Sequence, residues 1–496
     1  MNVSLEGWLG IGAAVVLLSV VAVRASVRVG LPSLLLYLGI GMLLGESVLG
    51  FQFENTALTE SLGLAALVLI LAEGGLTTRW GDVRPALGIG IALSTVAVAV
   101  SIAVVGVSLH VLLDLDWRTA FLWGAVLSST DAAAVFSVLR GVGVTRRLVG
   151  ALELESGLND APVVIAVVLL ASPEPLQWWS PVLVVYELAV GAALGVAFGI
   201  GGAWALRRAA LPATGLYPLA TVAVCVLGYA GGQWLHASGF LATYVSALVL
   251  GNSRLPHRGG VLSFVEGTGW LAQIGLFVLL GLYASPSALV IAVIPALVAA
   301  VVLLLVARPL SILLATVPFR VPLREQAFLS WAGLRGAVPI VLAMIPLTRA
   351  PDSTAARTLV DVVLVLVVLL TLLQGTTLPL VARLLRVSRP SEPTEIEVDA
   401  APLDALSADL LQVRVPLGSK LHGVYLRELR LPTGAAVSLV VRGDHGFTPS
   451  PDTRLQERDQ LLVVTTADAR IGAEDRIRAV DRAGRLARWR GETGRS

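Results

Sequence analysis

Residues 148–171 read LVGALELESGLNDAPVVIAVVLLA, an apolar stretch long enough to span a membrane as a helix, yet it carries five polar side chains within eight positions. The five are Glu153, Glu155, Ser156, Asn159 and Asp160. Glu153, Ser156 and Asp160 follow an i, i+3, i+7 spacing and share one helix face. Ionisable groups at bilayer depth are costly and usually face a partner or a water-filled cavity. The stretch therefore predicts a functional polar face on a membrane helix, with a hydrogen-bond network between helices as the structural alternative.

Two further residues of this stretch affect its backbone. Gly157 and Pro162 are expected to loosen the helix locally and to free backbone carbonyls as ligands.

The composition of the whole chain agrees with a membrane protein. Of its 496 residues, 56% are hydrophobic and only 14% are charged, against about 25% in an ordinary soluble chain. These values exclude a soluble enzyme, a nucleic-acid-binding protein and a disordered chain. Residues 1–389 contain 39 charged side chains, whereas residues 390–496 contain 31. The sequence therefore predicts a transmembrane domain over 1–389, followed by a soluble region.

Thirteen segments of the first region have the apolar character of membrane-spanning helices. They are 6–23, 31–50, 57–76, 86–112, 118–139, 148–171, 181–206, 216–235, 239–252, 262–283, 287–317, 325–347 and 358–385.

The arginines of the connecting loops predict the orientation of these segments. Seventeen of them, Arg308 included, are assigned to the side reached after odd-numbered segments, and only three, Arg118, Arg349 and Arg357, to the other side. Cytoplasmic loops carry the excess of basic residues. The N-terminus is therefore predicted outside and the C-terminal region in the cytoplasm. Arg335 lies inside the twelfth segment and is predicted to be the only arginine deep in the membrane.

Other polar residues at membrane depth extend the predicted site. Glu73 lies near the end of the third segment, and Thr130 and Asp131 lie in the fifth among small residues. Carboxylates, hydroxyls and freed carbonyls suit a partly dehydrated monovalent cation. Arg335 requires an acidic partner at this depth, and Glu155 or Glu153 is the expected one. That ion pair is compatible with a structural role or with a role in transport.

No resident cofactor is predicted. Cys225 is the only cysteine, and His110, His236 and His257 are scattered near predicted loops, so neither a disulfide nor a zinc site is expected. The expected partners are monovalent cations, protons and membrane lipids, and no nucleic acid.

The polar motifs resemble those of the NhaP-type monovalent cation/proton antiporters. The resemblance rests on Thr130-Asp131, on the run from Glu155 to Asp160, and on Gly333-Leu-Arg-Gly336, and it covers residues 1–389. It implies an all-α polytopic membrane protein of about 13 transmembrane helices with inverted repeats. It also implies a homodimer, in which helices 5 and 12 are discontinuous and cross near the middle of the membrane.

The resemblance also implies roles for individual residues. Asp160 is the expected carrier of the cation or the proton, and Asn159 precedes it where electrogenic relatives have a second aspartate, which implies electroneutral one-for-one exchange. The expected cation ligands are Asp160, Asp131, Thr130 and Ser156, with Glu73 completing or lining the site. The residues expected to organise the site are Asn159, Glu155 and Arg335.

The soluble region carries a second, looser resemblance, to the TrkA-C/RCK-C regulatory module. Residues 410–470 alternate like short strands around a short helix, which predicts a small α+β cytoplasmic domain. Residues 390–409 are predicted to be a linker, and residues 471–496 a basic helix or tail. No Gly-x-Gly-x-x-Gly follows a strand here, so a Rossmann half is not predicted, and a regulatory nucleotide remains unidentified.

Together these features predict a transporter, and not an enzyme, of the bacterial cytoplasmic membrane that exchanges K+ or Na+ for protons by alternating access. The alternative is a cation channel gated by the same soluble module, although no Thr-Val-Gly-Tyr-Gly filter is present. An intramembrane enzyme is a second alternative, but neither His-Glu-x-x-His nor Gly-x-Ser-x-Gly occurs.

Overall fold

The computed structural model describes most of the chain and divides it into two compact units, Met1–Ser388 and Arg389–Ser496. The described residues are 5–29, 32–45, 55–131, 144–175, 177–387, 398–403, 408–416, 418–443, 445–466 and 468–487.

Helices make up most of the described residues of the first unit. Its helices are α1 (Leu5–Val29), α2 (Ser33–Leu44), α3 (Thr56–Thr77), α4 (Trp80–Leu113), α5 (Trp117–Ser128), α6 (Arg146–Ala171), α7 (Ser180–Arg208), α8 (Leu216–Trp234), α9 (Gly239–Gly251), α10 (Arg258–Tyr283), α11 (Pro286–Val302, continuing through Leu303–Ala307 to Arg308–Thr316), α12 (Leu323–Trp331), α13 (Ala337–Arg349) and α14 (Thr354–Leu384). Within the described ranges, eight helices are long and apolar enough to cross a membrane, and several shorter helices accompany them. The prediction of a polytopic all-α membrane domain is confirmed.

Two of the predicted segments are interrupted. The fifth stops being helical at Ser128, and Ser129 is extended, with φ −66° and ψ 143°. Its remainder beyond Asp131 lies outside the described residues. The twelfth segment is split into α12 and α13 by the non-helical residues 332–336. The predicted discontinuity is thus present in the twelfth segment, and in the fifth the described residues show the end of the helix at Ser128.

The helices around these interruptions form an internal repeat. A long helix with a π-helical turn, an interrupted helix and another long helix follow one another in α4–α6 and again in α11–α14. The π-helical turns are Leu93–Ala97 and Leu303–Ala307. The part of α11 after its own turn packs on the turn of α4. The predicted segments that contain α4 and α11 are the fourth and the eleventh, so the predicted topology runs the two copies in opposite directions, as in inverted-repeat transporters.

Helix α6 differs from its prediction. It runs without a break from Arg146 to Ala171, through both Gly157 and Pro162, so neither residue interrupts the helix. Gly157 provides space instead, since a Cβ at this position would overlap the ring of Tyr244 from α9. Packing of a neighbouring helix, and not backbone freedom, explains the glycine.

Small residues also allow close approach elsewhere. Gly191, Gly195 and Gly199 follow one another at four-residue intervals along α7, and a Cβ at each would lie within 2.7 Å of the start or the side chains of α9. Such spacing of glycines lets two membrane helices pack closely.

The second unit is a five-stranded antiparallel sheet with two helices. Its strands are β1 (Val398–Leu403), β2 (Ala408–Arg414), β3 (Ala435–Arg442), β4 (His445–Phe447) and β5 (Gln460–Thr466), in the order β1-β2-β5-β3-β4, and its helices are α15 (Leu426–Leu429) and α16 (Arg470–Ala483). Strand β5 is central because it pairs with both β2 and β3.

Two boundaries of the soluble region differ from the predicted ones. Strand β1 lies inside residues 390–409, which the sequence pattern had indicated as a linker, and it pairs along its whole length with β2. Helix α16 is not a separate tail, because Ala473, Ile477 and Val480 are fully buried in the core of this unit. These segments are short and contain few apolar residues in an alternating or helical pattern. The sequence therefore did not reveal that β1 pairs with β2 or that α16 packs on the sheet.

Candidate functional site

The two non-helical segments of the membrane unit are joined directly. The amide of Asp131 donates to the carbonyl of Leu334 at 3.0 Å, and the guanidinium of Arg335 donates to the carbonyl of Ser129. From α14, Thr371 donates its hydroxyl to the carbonyl of Arg335 at 3.1 Å. Backbone groups that lose their helical partners at the interruptions are therefore satisfied by the opposite segment and by side chains.

Helix α6 adds its polar face to this junction. Ser156 donates to the carbonyl of Thr130 at 3.0 Å, and Asn159 donates through Nδ2 to the hydroxyl of Thr130 at 2.6 Å. Asp160 accepts a hydrogen bond from the hydroxyl of Ser129 at 2.9 Å. The polar groups of α6 therefore hold residues 129–131 in place.

A cavity of about 440 Å³ reaches this junction. All five residues predicted to bind the cation line it, whereas the three predicted organisers do not. The lining five are Glu73, Thr130, Asp131, Ser156 and Asp160. Glu153 and Glu266 line it as well. The cavity is thus lined by the predicted cation ligands and not by the predicted organising residues.

The buried charges form one cluster with a defined sum. Among the described residues of the membrane unit, five side chains that are ordinarily charged at neutral pH are buried, namely Asp131, Glu155, Asp160, Arg308 and Arg335. In their usual charged forms they sum to −1. A single monovalent cation or a single proton brings the cluster to zero.

A model of the family described as sodium/hydrogen exchanger, transmembrane, matches residues 14–384, and a TrkA-C domain model matches residues 410–478. The chain belongs to the sodium/hydrogen exchanger family. Its TrkA-C match explains the small sheet domain that follows the membrane unit of this exchanger-family protein.

Curated relatives and solved structures agree with this assignment. The chain is 39% identical to the K+/H+ antiporter NhaP of Alkalimonas amylolytica, over 90% of this chain and 79% of the relative. It is 34% identical to the K+/H+ antiporter NhaP2 of Shewanella baltica, over 93% and 81% of the two chains. The sodium proton antiporter MjNhaP1 of Methanocaldococcus jannaschii shares the fold, with a TM-score of 0.67, 20% identity and coverage of 77% of this chain and 99% of that one.

One residue of this exchanger-family site was missed by the sequence analysis. Arg308 was counted with the loops, but it is 3% exposed and its Nη1 lies 2.5 Å from Oε1 of Glu155. Its Nη2 donates to the carbonyl of Leu329 at 3.0 Å. Glu155, one of the two acidic partners predicted for Arg335, interacts with Arg335 through its charge and makes its direct contact with Arg308. Arg335 is therefore not the only arginine at depth. The available signal was the position of Arg308 inside the apolar segment 287–317.

The three arginines assigned to the opposite side all bond to backbone carbonyls. Arg118 donates to Leu170 at 2.9 Å and Arg349 donates to Val168 at 3.0 Å, both near the end of α6. Arg357 donates to Pro351. Basic side chains close to a helix C-terminus interact favourably with its unpaired carbonyls. This capping explains Arg118 and Arg349, whereas Arg357, in the first turn of α14, bonds to the turn that precedes its own helix.

Proposed function

We propose that the protein exchanges K+ or Na+ for protons, one for one, across the bacterial cytoplasmic membrane. The observation that carries the proposal is the buried cluster with a formal charge of −1 beside the cavity. Oxygen ligands of the carboxylate and hydroxyl type suit a partly dehydrated monovalent cation.

The charge of the cluster explains how cation transport is coupled to proton transport in this proposal. Loaded with one cation or one proton, the cluster is neutral and crosses the low-dielectric barrier between the two access states at low cost. Empty, it carries an uncompensated charge, and moving such a charge through an apolar environment is strongly unfavourable. Exchange without uncoupled leak follows from this difference, with Asp160 as the group that carries either ion. Asn159 adds no second titrating group, which supports the one-for-one ratio.

The position of the cavity supports an inward-facing state. Glu73 lies four residues before the end of α3, and Glu153 and Glu266 lie within about two turns of the starts of α6 and α10. These helix ends adjoin the arginine-rich loops, which favour the cytoplasmic side. Asp160 is about 21 Å along α6 from its start, close to the middle of the helix.

Potassium is the preferred substrate in this proposal because the curated relatives named above are K+/H+ antiporters. We further propose a homodimer surrounded by lipid, with the N-terminus outside and the TrkA-C unit regulating exchange from the cytoplasm.

The test is cation-induced dequenching of a pH-sensitive dye in proteoliposomes, scanned across Li+, Na+, K+ and Rb+ and repeated at imposed membrane potentials. The wild type should exchange K+ at a rate that is independent of potential. Asp160→Asn and Asp131→Asn should abolish exchange while the protein remains folded. A rate that follows the potential contradicts the one-for-one ratio, and wild-type exchange by folded Asp160→Asn contradicts the assigned carrier.

A further inference from the structure

Ser129 contacts both signs of charge in the buried cluster. It is the first residue after α5 and is fully buried. Its hydroxyl donates to Oδ1 of Asp160 at 2.9 Å, and its carbonyl accepts from the guanidinium of Arg335. The backbone at Ser129 is thereby fixed on one side, and the hydroxyl is held toward the carboxylate on the other.

The Asp160 carboxylate depends on this one contact. Ser156 and Asn159, its neighbours on α6, donate to Thr130 and not to Asp160. Among the described residues, only Ser129 hydrogen-bonds to Asp160, and it uses Oδ1. Since Asp160 lines the cavity, Oδ2 remains available for an ion that arrives through it.

We propose that Ser129 is a positioning residue for cation binding, which fixes the rotation of the Asp160 carboxylate so that Oδ2 faces the cavity. The inference rests on the proposed exchange function and adds a residue to which neither the sequence motifs nor the family resemblance gives a role. A ligand group that is ordered before binding loses less conformational freedom when the ion arrives, and loss of this order weakens binding by about two- to tenfold.

The preceding residue offers a matched control. Ser128 is also a buried serine, but its hydroxyl donates to the carbonyl of Gly124 at 2.6 Å within its own helix. Ser128→Ala removes a hydroxyl of the same size at the same depth and leaves the contact to Asp160 in place.

The experiment compares wild type, Ser128→Ala, Ser129→Ala and Ser129→Cys in proteoliposomes at one fixed pH. Ser129→Ala should raise the KM for K+ by about two- to tenfold, with Vmax within about twofold of the wild type. Ser129→Cys, a weaker donor of similar size, should give an intermediate KM, and Ser128→Ala should keep the wild-type KM. K+ binding is also measured in detergent, as the K+ concentration that gives half of the cation-induced rise in melting temperature. This concentration should increase across the variants in parallel with the KM. It reports binding even for a variant that transports slowly.

Two results overturn the inference. One is a KM and a half-maximal K+ concentration that are equal in Ser129→Ala and Ser128→Ala. The other is a lower Vmax at unchanged KM with unchanged K+ binding, which indicates a structural role only. The wild type and Asp160→Asn are measured in the same series as controls. If the proposed exchange function is wrong, the wild type itself shows no K+/H+ exchange, which distinguishes that failure from a failure of the role proposed for Ser129.

Discussion

Neutralising Glu155 should weaken cation binding through the charge of the whole cluster. In Glu155→Gln the buried charges sum to zero when the site is empty and to +1 when one cation is bound. Glu155 and Asp160 are five residues apart on α6, about 7.5 Å along the axis and about 140° apart around it, so their charges are about 13 Å apart. At an effective dielectric constant of about 20, this distance corresponds to about 1.3 kcal/mol. The KM for K+ should rise roughly ninefold.

Stability should change together with affinity in this variant. The Arg308–Glu155 pair is 4% and 3% exposed, and removal of one partner from a buried pair costs about 3–5 kcal/mol. Glu155→Gln should therefore melt at a lower temperature than the wild type when unfolding is followed in detergent.

The double variant Glu155→Gln/Arg308→Gln separates charge from packing. It restores the empty cluster to −1, so its KM should return to within a few-fold of the wild-type value even if its stability does not. The assay is the same dye dequenching, with KM and Vmax determined over a range of K+ concentrations. A double variant whose KM stays as high as that of Glu155→Gln would refute the argument from charge, as would an unchanged KM in the single variant.

Two further predictions concern the soluble unit. A chain ending after Arg389 should retain K+-dependent proton exchange in proteoliposomes with an altered pH profile, and complete loss of exchange by a correctly inserted truncation would contradict a purely regulatory role for the unit. The backbone amide of Tyr425, and then Arg485, lower the pKa of Glu428 below its ordinary value of 4.5. A carboxylate with a lowered pKa contributes stability above its unfolded-state pKa, and this contribution is lost as the pH falls through the lowered value. Glu428→Gln should therefore speed hydrogen–deuterium exchange around residues 425–429 of the full-length protein at pH 7. The difference in exchange rate between the variant and the wild type should shrink below pH 4.5. A difference that is constant with pH would show that the charge of Glu428 does not stabilise this segment.

The membrane architecture could be predicted from local sequence alone. Most of the thirteen apolar segments are long enough to satisfy their own backbone as helices, so their existence depends on length and hydropathy and not on their neighbours. The residues that line the cavity could be predicted from the sequence for a related reason. A carboxylate such as Asp160 in an apolar helix has few explanations other than a partner or a cavity.

The partners of these residues were decided only by the tertiary structure. The sequence places Glu155 and Arg335 at comparable depth, but it does not reveal that Arg308 lies nearer, because that contact joins helices separated by 153 positions. Ser129 and Ser128 are adjacent and chemically identical, yet one bonds to Asp160 and the other to its own helix, since the helix ends between them. In the same way, the sequence suggested that Gly157 provides backbone freedom, whereas in the structure Gly157 leaves room for the ring of Tyr244. Hydropathy and charge act on each segment separately and so determined the helices, whereas pairing and close packing depend on which segments meet in space.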